Sequence, residues 1–173
     1  RSALFLHSLK KSASPLEDQN VQKLYRRCLN DTNITKSIPV YSAAYLKSPV
    51  IAGFWKPCIF LPVHLISDKN ETDIRYMLLH ELQHYKHKDG FINYLINLAG
   101  MIYWFNPFVW IAGRWLQEVH EWEADRDVLD AGYDLTEYRT VIFHQLFGHN
   151  PDIACGLNHS LTKKRFAMMT QFR

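Results

Sequence analysis

Cysteine is scarce and scattered in this chain: Cys28, Cys58 and Cys155 stand far apart, with no Cys-x-x-Cys spacing. That excludes a thiolate zinc cluster, and the odd count favours free thiols in a reducing compartment. Charge of one sign is also in short supply, with Lys+Arg 20 against Asp+Glu 17 and a net charge of +3. Basic residues mixed among acids in this way give no indication of nucleic acid as a direct partner. Low-complexity tracts and internal repeats are missing, and a hydrophobic share of 47% with 14% aromatics excludes a disordered tail. No signal peptide opens the chain, because Arg1 to Leu9 is too short and Lys10-Lys11 follows it. Four Asn-x-Ser/Thr triplets, at Asn30, Asn33, Asn70 and Asn158, read as chance occurrences where nothing else indicates secretion.

What is present fits one domain: 173 residues, ample for a single core. The first residue is not methionine, which points to a fragment of something longer. One stretch resists a soluble reading, because Gly90 to Gly113 carries no charged side chain across 24 residues. Its length alone fits a membrane span. Asn93, Asn97 and Asn106-Pro107 interrupt it, however, and Trp104, Trp110 and Trp115 are residues favoured at a lipid interface. Two shorter helices broken at Asn106-Pro107 are expected, either buried in the core or resting one face on a membrane.

Along the chain the hydrophobic period changes. Residues 1–13 read as a frayed basic entry, and Ser14-Pro15 is expected to begin a helix carrying Leu16, Val21, Leu24 and Cys28. Short apolar runs follow at Ile38 to Tyr41, Val50 to Phe54 and Cys58 to Leu61, bounded by Ser48-Pro49, Lys56-Pro57 and Pro62. They predict a small antiparallel sheet with exposed edges. From Ser67 the chain reads as helical, with Ser67, Asp68 or Asn70 as N-cap and Gly90 as the stop of a first long helix. Further helices are expected to about Trp104, from Pro107 to about Leu129, from Leu135 to Phe147, and from Leu161 after a loop over Gly148 to Ser160. A small sheet followed by helices makes the fold class α+β.

The chemistry lies in two segments, His80-Glu81-Leu82-Gln83-His84 and, 37 residues later, Glu121-Trp122-Glu123-Ala124-Asp125. A helix brings residues four apart onto one face, so His80 and His84 can present two imidazole nitrogens to one metal ion. Glu81 lies about 100° around that helix and can reach a water held at an open position. Glu121 offers the third ligand, and Asp125, one turn later, is placed to hold the free ring nitrogen of a ligand histidine. Two histidines, a carboxylate and an open position make a hydrolytic Zn2+ site and not a structural finger. Glu123 is the alternative ligand; it sits about 200° from Glu121, so the two cannot both face the metal. Asp89, five residues after His84, is a further candidate to orient a ligand. In this reading Glu81 is the general base and then the general acid. His120, Arg126, His144 and His149 are candidate donors to the scissile carbonyl oxygen.

These residues, together with Ser48-Pro49-Val50, Lys56-Pro57, Leu61-Pro62, Lys88-Asp89, Trp104-Phe105-Asn106-Pro107 and Lys163-Lys164-Arg165, resemble the peptidase domain of the BlaR/MecR family of β-lactam sensor-transducers. The resemblance runs from about Ile38 to Arg165, and the 41-residue separation of His80 and Glu121 suits it. It implies a gluzincin fold with zinc on His80, His84 and Glu121 and with Glu81 catalytic. It also implies a domain facing the cytoplasm between membrane helices of a bacterial parent protein, whose target is a transcriptional repressor of resistance genes. Self-cleavage is associated with that family, and Lys164-Arg165 is where a basic processing site would fall. Membrane heat-shock and prenyl-protein endopeptidases are the nearest alternative, although they place Gly where this chain has Gln83. A non-catalytic zinc-binding docking domain is a third. Substrate backbone is expected to add to the strands before the motif helix.

Overall fold

A computed structural model of the chain describes residues 9–46, 48–53, 55–68, 70–147 and 160–171. The chain divides into two compact units, Arg1–Leu82 and Gln83–Arg173, and the division falls inside one continuous helix.

The first unit is built on the apolar runs. Strands β1 (Ser14–Pro15), β2 (Val40–Ala43), β3 (Val50–Ala52) and β4 (Cys58–Pro62) form one sheet in the order β1-β2-β4-β3. This sheet is mixed, which corrects the expected antiparallel arrangement: β2 pairs with β4 in parallel, and the other two pairings are antiparallel. Chain order supplies the reason. β3 runs against β2, and the turn after it sends β4 back in β2's direction, into the gap between them. The turn requires Gly53, whose φ is +108° and where a Cβ would stand 2.5 Å from the Lys56 carbonyl oxygen. All five residues of β4 are buried, as a continuous apolar run covered on both faces should be. Cys58 to Leu61 is therefore an interior strand, and the sheet's terminal strands are β1 and β3.

Ser14 and Pro15 pair with Ser42 and Tyr41 instead of opening a helix. Helix α1 (Gln19–Asp31) starts later, where the Asp18 carboxylate accepts from the backbone N–H groups of Asn20 and Val21. A short helix, α2 (Val63–Asp68), follows β4 and absorbs Ser67 and Asp68, so the cap of the next helix is Asn70, which accepts from Asp73 N–H at 3.3 Å. That helix is α3 (Glu71–His87). Ile74, Met77, Leu78 and Leu82 form its buried stripe as the period predicted. Cys28 and Cys58 are free and buried, and burial pushes the Cys28 thiol up to about 12, so it stays protonated.

Helices make up the second unit: α4 (Asp89–Ile102), α5 (Pro107–Asp130), α6 (Leu135–Phe147) and α7 (Ser160–Met169). Lys88, not Gly90, breaks α3 from α4, with a left-handed backbone at φ 60°. Pro107 takes the first turn of α5 behind Asn106, whose side chain accepts from Phe108 N–H. The Trp110 indole N–H closes the α4–α5 turn on the Trp104 carbonyl at 3.1 Å. Gly132, at φ +88°, stops α5. The expected entry over residues 1–8 and most of the loop from Gly148 to Ser160 lie outside the described residues, as do His149 and Cys155. No helix among the described residues is long and apolar enough to cross a membrane.

Candidate metal centre

Buried polar side chains locate the chemistry, because a polar group out of water needs a partner or a purpose. Among the described residues, Thr32 apart, they are His80, Glu81, Gln83, Asp89, His120 and Asp125. All lie on α3, at the start of α4 and on the C-terminal half of α5.

His80 and His84 sit one turn apart on α3, and α3 runs unbroken through the division between units, so the helix itself sets their relation. Glu121 comes from α5. One ligand atom from each of His80, His84 and Glu121 lies within 4.8 Å of the other two. Nε2 of His84 and Oε1 of Glu121 are 3.6 Å apart, too far for a hydrogen bond. Ligand atoms about 2.0–2.2 Å from a tetrahedral ion stand about 3.3 Å from each other, close to that spacing. Two imidazoles with one carboxylate suit zinc chemically and leave a coordination position open.

The tautomer of His84 follows from its neighbour. Nδ1 lies 2.7 Å from Asp89 Oδ2, and a carboxylate can only accept, so Nδ1 carries the proton and Nε2 keeps its lone pair for a ligand bond. The left-handed turn at Lys88 is what brings Asp89 back onto a histidine five residues earlier. Asp89 Oδ1 also lies 3.6 Å from His120 Nε2. His120 is buried beside this carboxylate.

Glu81 is buried and is held from the first unit's sheet: the Ile51 backbone N–H on β3 donates to its Oε2 at 3.0 Å. A terminal strand has N–H groups that no neighbouring strand takes up, and here one of them fixes the carboxylate beside the two histidines.

On α5 the acids separate by face. Glu121 points toward His84, whereas Glu123 is exposed. Asp127 pairs with His87 at 2.9 Å and with Lys86 at 3.9 Å. Asp125 is 1% exposed and accepts from the Tyr138 hydroxyl at 2.7 Å. Arg165 on α7 donates to both Asp125 oxygens, Nε at 2.8 Å and Nη2 at 2.7 Å, and its Nη1 lies 2.8 Å from Glu121 Oε2. Burial, then the charge of Asp125, holds the Tyr138 hydroxyl well above the usual tyrosine range, so it remains a donor. Burial also works against the Arg165 charge, but hydrogen bonding to Asp125 and the charges of Asp125 and Glu121 more than offset it, and its pKa is raised. Lys164 reaches both oxygens of Glu118, on the same helix as Glu121, at 2.8 Å. The Lys164-Arg165 pair thus lies inside a helix, with one guanidinium only 12% exposed.

Arg126 is an exposed partner of Asp130 at 3.3 Å, and His144 is half-buried on α6. Tyr138 and the Arg165 fork were not legible as site residues. Tyr138 carries no motif, and Arg165 is one of three adjacent cations that read equally well as a solvated face.

The family profile described as BlaR1 peptidase M56 matches residues 1–169. The chain is 31% identical over 128 residues to the regulatory protein BlaR1 of Bacillus licheniformis, covering 74% of this chain and 21% of that protein. It is 30% identical over 118 residues to the methicillin resistance mecR1 protein of Staphylococcus aureus strain Mu50, covering 68% and 20%. Against the regulatory protein BlaR1 of Staphylococcus aureus it is 28% identical over 140 residues, covering 81% and 24%. The chain spans about a fifth to a quarter of the length of these curated relatives. With a profile match over nearly all of its residues, the chain belongs to the BlaR1 peptidase M56 family.

Proposed function

We propose that the chain is the zinc-dependent endopeptidase part of a bacterial membrane signal transducer, and that it cuts a protein whose removal relieves repression of resistance genes. The observation that carries this reading is the metal-ligand spacing of His80, His84 and Glu121, with Glu81 following His80 on the same helix. When bound, zinc would act as Lewis acid toward the scissile carbonyl and lower the pKa of a water to about 7. His80, His84 and Glu121 would hold it. Glu81 takes a proton from the attacking water and hands it to the leaving amine. The Ile51 N–H on its Oε2 holds the carboxylate in place for that transfer. Substrate backbone adds along β3, the terminal strand whose Ile51 N–H already points at Glu81.

The names of the relatives, a regulatory protein and a methicillin resistance protein, support signalling in antibiotic resistance as the setting. A membrane setting draws support from α4 and the start of α5. Met101, Ile102, Trp104, Phe105 and Phe108 are all exposed in a stretch without charge. Such a surface is costly in water and favourable at a lipid interface. The domain would then work on the cytoplasmic side, beside membrane helices of the parent.

Glu81→Gln tests the enzyme reading. In chain reconstituted on phosphatidylglycerol vesicles, turnover of a quenched-fluorescent peptide library should fall about 10²–10⁴-fold with zinc content unchanged. Equal turnover in the variant, or none in the wild type on vesicles, would remove the reading in favour of a docking domain. Detergent-free chain in buffer should turn over far more slowly than vesicle-bound chain.

A further inference from the structure

We infer that Arg165 is a positioning residue of the metal centre, and that α7 is therefore part of that centre: Arg165 holds Glu121 by one oxygen and so presents the other toward His84. The inference rests on the zinc reading above and adds a residue to it from a separate helix.

The geometry is that of one guanidinium serving two carboxylates. Glu121 and Asp125 are one turn apart on α5, so a single fork can reach both. Two donors go to Asp125 at 2.8 and 2.7 Å, which is the bidentate arrangement, and the third nitrogen reaches Glu121 Oε2 at 2.8 Å. Asp125 is itself fixed, being buried and tied to the Tyr138 hydroxyl. Immobility therefore passes from Tyr138 to Asp125, from Asp125 to Arg165, and from Arg165 to Glu121. At the far end, Glu121 Oε1 stands 3.6 Å from His84 Nε2. A glutamate with three free torsions loses rotamer freedom when it ligates, and a carboxylate already held loses less.

Helix α7 is anchored so that the fork stays in place. Lys164 reaches both oxygens of Glu118, one turn before Glu121's neighbour on α5, and Arg139 of α6 donates to the Phe166 carbonyl at 2.8 Å. The basic run at 163–165 thereby divides its work: one cation ties down the helix and the next reaches the centre.

Charge alone argues the opposite sign, and that makes the inference testable. A cation beside a metal ligand repels a divalent ion, so a purely electrostatic role predicts that removing Arg165 tightens metal binding. Positioning predicts that removing it weakens binding, by about 10–100-fold for a group that orients a ligand. Arg165→Lys keeps the charge but cannot make the fork.

The experiment is zinc affinity by chelator competition, with Co2+ absorption as a second readout, on wild type, Arg165→Lys, Arg165→Gln and the control Lys23→Gln, an exposed cation of α1. The expected result is a loss of about 10–100-fold in both Arg165 variants, a changed Co2+ spectrum, and wild-type behaviour in the control. Full affinity in Arg165→Lys, or tighter binding in Arg165→Gln, would overturn the inference. Should both variants unfold, the wild type decides: the Arg165 side-chain N–H resonances should shift in step with zinc saturation, and resonances that stay put would overturn it. Wild-type chain that takes up no zinc removes the inference together with the zinc reading, whereas normal wild-type uptake with unchanged Arg165→Lys removes the inference alone.

Discussion

The two halves of α5 present different surfaces. Up to Gly113 the helix carries no charge and leaves Phe108, Trp110 and Ile111 exposed. From Glu118 onward it exposes Glu123, Arg126 and Asp130, and it buries Asp125, which takes an arginine and a tyrosine as partners. The hydrophobic effect explains the second half, where apolar residues such as Ala124 and Val128 are buried and acids face out unless paired. It fails for the first, where large apolar rings face outward. A helix laid out this way is suited to water at one end and to an apolar surrounding at the other.

The contrast breaks most severely at Asp125. Asp125→Ala would leave the Arg165 guanidinium buried without its main partner, and removing one member of a buried pair costs about 3–5 kcal/mol. Urea denaturation should show that loss; a change below about 1 kcal/mol would mean that the pair is far better hydrated than its burial indicates. At the other end, Trp104→Ser with Phe105→Ser should leave stability within about 0.5 kcal/mol, since both rings are exposed. The same pair should weaken binding to phosphatidylglycerol vesicles more than 10-fold, because each ring withdrawn from lipid forfeits about 1.5–3 kcal/mol. Vesicle binding that survives both substitutions would dissolve the contrast. The smallest expected effect is at Lys88, whose left-handed backbone is costly for any residue with a Cβ. Lys88→Gly should raise the melting temperature, with a gain of about 1 kcal/mol or less, and should keep the Asp89–His84 contact.

How much of this was legible in the residues follows from the range of the forces involved. The α3 stripe of Ile74, Met77, Leu78 and Leu82, the pairing of His80 with His84, and the helix from Leu135 to Phe147 are local, set by a period of 3.6. The start of α5 was legible because Asn106-Pro107 writes a cap into the chain. Sheet direction was not, since β4's place between β2 and β3 depends on pairings far apart in sequence, and short apolar runs look alike whichever way they run. Lys88 was hidden behind Gly90, the residue that costs least in a left-handed turn. Asp125 was read as a partner for a ligand histidine, whereas the contacts on its two oxygens described here come from Tyr138 and Arg165. No spacing rule places an arginine forty residues away on that carboxylate.

Metal content measured by mass spectrometry, on the wild type and with His80, His84, Glu121 and Glu123 replaced one at a time, tests the centre most directly. One zinc per wild-type chain is expected, with loss in the first three variants and full occupancy when the exposed Glu123 is changed. Zinc that persists without Glu121 but disappears without Glu123 would contradict the ligand geometry described above.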